Sequence, residues 1–308
     1  MKQSIIEWTS LIERYESELL TSVIPFWESH CIDHAHGGFF TFLDREGSVY
    51  DKDKYMWMQW RIVYQFATLY MSPYQKPEWL QIAEKGFEFL HANGHDVEGN
   101  YYFVINQSGK PIIAPYNIFS EAFVVMGAAA LYKATKSDTY MQAALTAMNN
   151  YIRRIKNPKG QWEKSLPDRP KRLSLGPYMI LANLGTVLKE CIGIDQYDKD
   201  VAEAIDIVLN KFWNDQLQVL FENINIDGSF DIESCDGRHL NPGHGLESMW
   251  FILQHAEHEN KLDLIPKACN IIKALLKFGW DQEHGGLYYF MDVLGKPHAE
   301  LSWDMKLW

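Results

Sequence analysis

The amino-acid sequence predicts an all-α toroid, a ring of inner helices enclosed by outer ones. Three patterns carry that expectation. A hairpin signal returns about every sixty residues. The helices between hairpins alternate between amphipathic and almost wholly apolar. Four polar residues recur in register on the apolar set.

Self-similarity at a fixed period marks a repeat architecture. His36-Gly37-Gly38-Phe39-Phe40, with Gly47 downstream, is matched by His284-Gly285-Gly286-Leu287-Tyr288 with Gly295. Gly99-Asn100-Tyr101-Tyr102-Phe103 with Gly109-Lys110-Pro111 repeats the theme, and so does Val219-Leu220-Phe221-Glu222-Asn223 with Asp227-Gly228. Each is a short aromatic run, a polar turn containing Gly and a return, which reads as a β-hairpin. A shorter version is expected near Lys159-Gly160-Gln161-Trp162.

Helices fill the intervals. Trp79, Ala83, Gly86 and Leu90 keep helical spacing before one hairpin, as do Val201, Ala204, Val208 and Phe212 before another. Phe119 to Leu131 and Gly176 to Leu188 follow hairpins and are apolar all round. A helix of that kind is buried on every side. The unit is therefore outer helix, hairpin, inner helix, about five times over. No Pro/Ser-rich linker interrupts it, so residues 1–308 are expected to form one domain.

Polar groups on buried helices need partners, because burying them alone costs free energy. Arg61, Glu121, Asn183 and His244 follow one another at intervals of 60, 62 and 61 residues. They are expected near the starts of successive inner helices, converging on one central cavity. The plainer reading is that each braces its own hairpin. Tyr55, Trp57 and Trp60 beside Arg61, Trp250 beside His244, and Trp303 and Trp308 add aromatic surface. Aromatic faces among polar groups suit a carbohydrate, although rings also fill helix seams.

The segment Asn241-Pro242-Gly243-His244-Gly245-Leu246-Glu247 is the most specific in the chain. Asn241 suits an N-cap and Pro242 the first helical position. His244 then falls in the first turn, where the helix dipole disfavours imidazolium. A neutral imidazole in a pocket is a competent general base near neutral pH. Its plainer reading is a buried histidine bonded to a backbone carbonyl.

Composition narrows the function classes. The net charge of −11 and the absence of a basic run argue against nucleic acid as a partner. The four cysteines are far apart and form no CxxC pair, which predicts free thiols in a reducing compartment. Asp33, His34 and His36 are too loosely spaced to read as a metal site, so no metal and no cofactor is expected. No apolar run reaches the roughly 18 residues of a membrane span, and no signal peptide opens the chain. A soluble cytoplasmic protein is the expectation.

Several of these stretches resemble the N-acylglucosamine 2-epimerase family, known in animals as renin-binding protein. They are His36-Gly37-Gly38-Phe39-Phe40-Thr41, Arg45-Glu46-Gly47-Ser48-Val49-Tyr50-Asp51 and Lys54-Tyr55-Met56-Trp57-Met58-Gln59-Trp60-Arg61. Ile118-Phe119-Ser120-Glu121-Ala122-Phe123 and the Asn241 to Glu247 segment follow, then Gly279 to Leu287 and Met305-Lys306-Leu307-Trp308. The resemblance spans the chain. It implies an (α/α)6 barrel and interconversion of N-acetylglucosamine and N-acetylmannosamine at C2. Relatives act on cellobiose or isomerise mannose-type sugars. In the implied mechanism the sugar ring opens, a histidine removes the C2 proton, and a second group returns one on the opposite face. His244 matches one of the two family histidines. Arg61 matches the arginine that binds sugar oxygens and steadies the enediolate. Glu247 matches the carboxylate one turn after the histidine. Asn183 matches a polar inner-helix position facing substrate, and Glu121 and Trp57 are expected as further substrate contacts. The implied partner is a small-molecule sugar, with a homodimer as the expected assembly and no membrane or nucleic acid.

The family pattern runs on past Lys306-Leu307-Trp308 to a pocket glutamate and the second histidine. This sequence stops at Trp308, with Ala299 to Trp308 reading as the first part of a fifth inner helix. The expectation is an incomplete toroid whose activity is reduced or lost. Competing readings are an aldose–ketose isomerase, a cellobiose 2-epimerase, a non-catalytic binding protein, and a glycoside hydrolase using Glu121 and Glu247 as its carboxylate pair. A His/Arg/Asn neighbourhood fits proton transfer beside a carbonyl better than it fits hydrolysis.

Overall fold

A computed structural model describes residues 7–296 except 167 and 169. The chain divides into two compact units, Met1–Tyr140 and Met141–Trp308.

In the first unit, α1 (Trp8–Glu18) passes through a π-helical turn at Leu19–Val23 into α2 (Ile24–His30). β1 (Phe42–Leu43) pairs antiparallel with β2 (Val49–Asp51), and β3 (Lys54–Tyr55) leads directly into α3 (Met56–Tyr70). Then come α4 (Pro77–Asn93), β4 (Val104–Ile105), β5 (Pro111–Ile113) and α5 (Phe119–Thr135). Pro77 in the first turn of α4 carries no N–H to leave orphaned, and Glu78 beside it complements the helix dipole. The stripe Trp79, Ala83, Gly86 and Leu90 is buried as the spacing predicts. α5 is buried continuously from Ser120 to Leu131. α3 packs against both α4 and α5. Trp60, expected among pocket aromatics, is instead fully buried, edge-on to Phe87 and Tyr101. Its indole fills the α3–α4 seam.

α6 (Asp138–Arg154) starts at the end of the first unit and runs into the second. The hairpin expected near Lys159 is a 3-10 turn, Gly160–Trp162, with no strand pairing among the described residues. Its ring receives the Arg154 guanidinium at 5.5 Å instead. β6 (Arg172–Ser174) leads into α7 (Leu175–Ile192), which ends on Gly193 in the left-handed conformation. α8 (Asp198–Ile207) continues as a π-helical turn, Val208–Phe212. After it come β7 (Trp213–Asn214), β8 (Val219–Leu220), β9 (Asn223–Asn225), α9 (Cys235–Arg238) and β10 (His239–Leu240). α10 (Pro242–His258), α11 (Leu264–Gly279) and β11 (Met291–Asp292) complete the described elements. α7 packs against α8 and α10, and α10 packs against α11.

One pairing rule recurs. The strand that leads into an inner helix pairs with the hairpin that follows the next outer helix: β3 with β4, β6 with β9, β10 with β11. The hairpin turns are also alike. Asp44 Oδ1 accepts from the N–H groups of Glu46 and Ser48, and Asn106 Oδ1 from those of Ser108 and Lys110. The chain then turns at Gly47 and Gly109, with φ of 86° and 91°, a region that disfavours a Cβ.

Three cations hold these joints, Lys54 and Arg238 buried and Arg172 half-buried. Lys54, without exposed surface, donates to Asp33 Oδ2 at 2.9 Å, Gly37 O at 2.5 Å and Gln107 O at 2.8 Å. Arg172 pairs with Asp231 and with Ser234 Oγ. Arg238 pairs with Asp292 at 2.8 Å. All three stand on, or directly before, the strand that starts an inner helix.

Cys31 is wholly buried at the end of α2, and burial pushes its thiol up to about 12, while Cys235 is exposed. Among the described residues no helix is long and apolar enough to cross a membrane. The helix expected over Ala299 to Trp308, with Trp303 and Trp308, lies outside the described residues.

Candidate active site

The second unit carries the histidine. Asn241 caps α10 as its sequence predicts, its Oδ1 accepting the His244 N–H at 3.2 Å, with Pro242 at the first helical position. Ser248 Oγ donates to His244 O at 2.7 Å. Gly243 and Gly245 flank the histidine and are buried, and Leu275 of α11 fills the space beside Gly245. The backbone of this turn is therefore fixed. The His244 ring keeps 32% of its surface exposed.

The ring is held from outside its own helix. Its Nδ1 lies 2.9 Å from Glu222 Oε1, on the turn between β8 and β9. Burial disfavours the imidazolium. The charge and hydrogen bond of Glu222, with the charge of Glu247 one turn on, outweigh it, and the pKa of His244 is raised above its ordinary value. This corrects the expectation drawn from the helix dipole. A dipole at a helix terminus contributes about 1 kcal/mol or less in most settings, and a carboxylate in contact at low dielectric contributes more.

Glu222 was not singled out by the sequence, yet a signal for it existed. Leu175 N donates to Glu222 O as Met56 N donates to Phe103 O. The two residues hold the same position in their hairpins. An acid in a slot that elsewhere carries an aromatic ring is a departure from the repeat.

Glu247 is half-buried on α10. Asn183 is buried on α7, the helix that packs against α10. In the first unit Arg61 is exposed on α3, its guanidinium 4.4 Å from the Phe123 ring centre and 5.2 Å from that of Trp57. The two rings are 6.2 Å apart. A guanidinium against two ring faces is oriented by cation–π attraction. Phe123 belongs with Arg61 and Trp57. Nothing local in the sequence marks it, because α5 reads as uniformly apolar.

Glu121 is placed differently. It is fully buried, and its Oε1 accepts from Tyr101 N at 3.4 Å. It braces its own hairpin, the plainer of the two readings, and presents no surface to a sugar. Even spacing in sequence does not mean even depth in the helices. Glu121 and His244 are third in α5 and α10, Arg61 sixth in α3 and Asn183 ninth in α7. The hairpins differ in length, and the offset falls on the helices. Asp33, weighed as a metal ligand, is committed to Lys54.

A family model described as N-acylglucosamine 2-epimerase matches residues 38–308. The chain is 35% identical to N-acylglucosamine 2-epimerase of Bos taurus, over 94% of this chain and 70% of that protein. It is 36% identical to the Mus musculus N-acylglucosamine 2-epimerase, over 96% and 72%. The solved structure of cellobiose 2-epimerase from Bacillus thermoamylovorans superposes with a TM-score of 0.81 at 19% identity, covering 94% of this chain and 77% of that one. That likeness shows the fold, an α/α barrel with few short strands.

Proposed function

The chain belongs to the N-acylglucosamine 2-epimerase family, and from that premise we propose that it interconverts N-acetyl-D-glucosamine and N-acetyl-D-mannosamine by removing and returning the proton at C2. The observation that carries the reading is His244, a partly accessible imidazole fixed at the start of α10 with a carboxylate at its Nδ1. No cofactor enters the chemistry. Opening the sugar ring exposes an aldehyde and makes the C2 proton acidic. Neutral His244 takes that proton through Nε2, and inversion at C2 requires a second acid that returns a proton on the opposite face. For Arg61 we keep the role that the family resemblance implies, donation to the sugar oxygen on which negative charge develops. Glu247 and Asn183 bind hydroxyl groups. Glu121 supports the site by holding Tyr101, with no contact to substrate.

The hydrolase alternative needs two accessible carboxylates on either side of a glycosidic bond. Glu121 is buried, so that pair is not available. The net charge of −11 disfavours polyanionic partners. A homodimer in a reducing compartment completes the reading, to be tested by sedimentation.

The decisive experiment is proton NMR of N-acetylmannosamine with the folded chain in D2O. Loss of the C2 proton signal with appearance of N-acetylglucosamine is expected, and His244→Ala abolishes both. A folded chain that leaves the C2 signal intact overturns the proposal, as does unchanged exchange in the His244 variant.

A further inference from the structure

Glu222 stands 22 residues before His244 on a different element. Its side chain is 14% exposed. Its Oε1 meets the imidazole, and its Oε2 is buried with no hydrogen-bond partner among the described residues. A carboxylate desolvated in this way gains most from a neighbour that brings it a proton. The main chain fixes where it stands. Glu222 O accepts from Leu175 N at the start of α7, and the preceding residue, fully buried Phe221, donates from its N to Phe212 O. The acid is held by backbone on two sides and points one oxygen at one ring nitrogen.

We propose that Glu222 is the positioning residue of His244: it accepts the Nδ1–H, fixes the plane and tautomer of the ring, and leaves Nε2 as the nitrogen that exchanges a proton with the substrate carbon. The role deepens the epimerase reading and rests on it for its chemical purpose. A ring nitrogen's tautomer follows the bond made by the other nitrogen. With Nδ1 committed as donor, the lone pair of neutral imidazole sits on Nε2. In the forward step the C2–H bond breaks, its electrons pass into the enediolate, and the proton bonds to Nε2. A second acid on the opposite face returns a proton and completes the inversion, and in the reverse reaction Nε2–H delivers its proton to C2. Glu222 keeps its contact with Nδ1 throughout and stabilises the imidazolium between the two.

The surrounding charges make Glu222 separable from its neighbours. Glu247 lies on the same helix as the ring and also favours the charged form. α7 is uncharged from Leu175 to Leu188. α11 meets α10 through Leu275, while its Lys273 and Lys277 are exposed. Replacing Glu222 removes the carboxylate in contact and leaves Glu247.

The test uses the full chain with 15N-labelled histidine and long-range 1H–15N correlation, which reads tautomer and titration of His244 without any turnover. The unsubstituted chain is expected to carry the neutral-form proton on Nδ1. Glu222→Gln keeps the shape and an acceptor but not the charge, and lowers the His244 midpoint by about one pH unit or more. Glu222→Leu removes the acceptor, and the ring loses its single tautomer. In parallel, the acid limb of C2 exchange moves to lower pH in Glu222→Gln with kcat down about 10-fold, and Glu222→Leu loses about 100-fold with KM little changed. Glu222→Asp recovers part of the loss. An unmoved His244 titration in folded Glu222→Gln overturns the proposal. If the titration moves as stated and even the unsubstituted chain exchanges nothing at C2, the positioning role stands and the epimerase reading falls.

Discussion

A lysine with no exposed surface costs several kcal/mol to desolvate unless it is fully partnered. Lys54 meets that cost with Asp33, two carbonyls and the Phe89 ring at 4.3 Å. Removing one partner is worse than removing both. Lys54→Met leaves Asp33 ionised and buried, and is expected to lower unfolding free energy by about 3–5 kcal/mol in urea titration. The double variant with Asp33→Asn recovers part of that. Arg61 makes a second prediction at this scale. Arg61→Ala is expected to cut C2 exchange by about 100- to 1,000-fold, and Arg61→Lys restores charge but not the flat fork, so it recovers little. Equal initial rates in Arg61→Lys and the unsubstituted chain would sink that role. His244 was legible because cap, proline and histidine lie within four residues. Glu222 and Lys54 were not, because their partners come from other elements, and nothing local marks a lysine as buried.

At the scale of elements, the stitching of each inner-helix strand to the next hairpin explains why aromatic and Gly-containing stretches recur in sequence. The periods of the helices were readable because burial follows spacing: Trp79, Ala83 and Leu90 have no exposed surface. The two π-helical turns, Leu19–Val23 and Val208–Phe212, were not readable, since a π turn keeps an apolar stripe continuous while carrying an extra residue. The failed hairpin at Lys159 shows the limit of a Gly-plus-aromatic signal without a flanking apolar run. Close helix packing gives a prediction. A Cβ on Gly86 of α4 falls 2.5 Å from Phe39 Cζ and 3.1 Å from Val63 Cγ2. Phe39 is itself buried and cannot swing away. Gly86→Ala gains about 1 kcal/mol in helix propensity but overpacks at a cost of about 1–3, so calorimetry is expected to show a lower Tm.

For the whole molecule, pH sets stability through groups shifted in opposite senses. Burial holds His91 and His255 below their ordinary value. Their contribution is present above about pH 6.5 and is lost as pH falls, because the unfolded chain takes up those protons first. Lower down, Glu259 is held to about 2 by the hydrogen bonds from Lys189 and His258. Against the penalty of burial, Lys54 holds Asp33 and Arg238 holds Asp292 below the usual carboxylate range. These contributions are present above about pH 4 and fade as pH drops through the lowered values. His244 runs the other way: its contribution is complete below its ordinary value and is lost as pH rises through the raised one. The urea midpoint is expected to fall from pH 7 to 5 and again from 5 to 3. A flat profile over that range would contradict the buried pairs. We also propose that residues 1–308 unfold as one domain, which requires a single calorimetric transition whose van't Hoff and calorimetric enthalpies agree. The all-α class was legible from the repeat alone, whereas the boundary between the two compact units carries no linker signature in the sequence.

Cys31 gives the molecule a built-in clock. Its thiol is sealed at the end of α2 and holds its proton, while Cys235 stands in the open. A maleimide dye in excess will consume Cys235 at the speed of the reagent. It will reach Cys31 only as often as the chain around α2 breathes. The lag between the two colours of modification, followed by mass spectrometry, times an event that leaves no trace in a static structure.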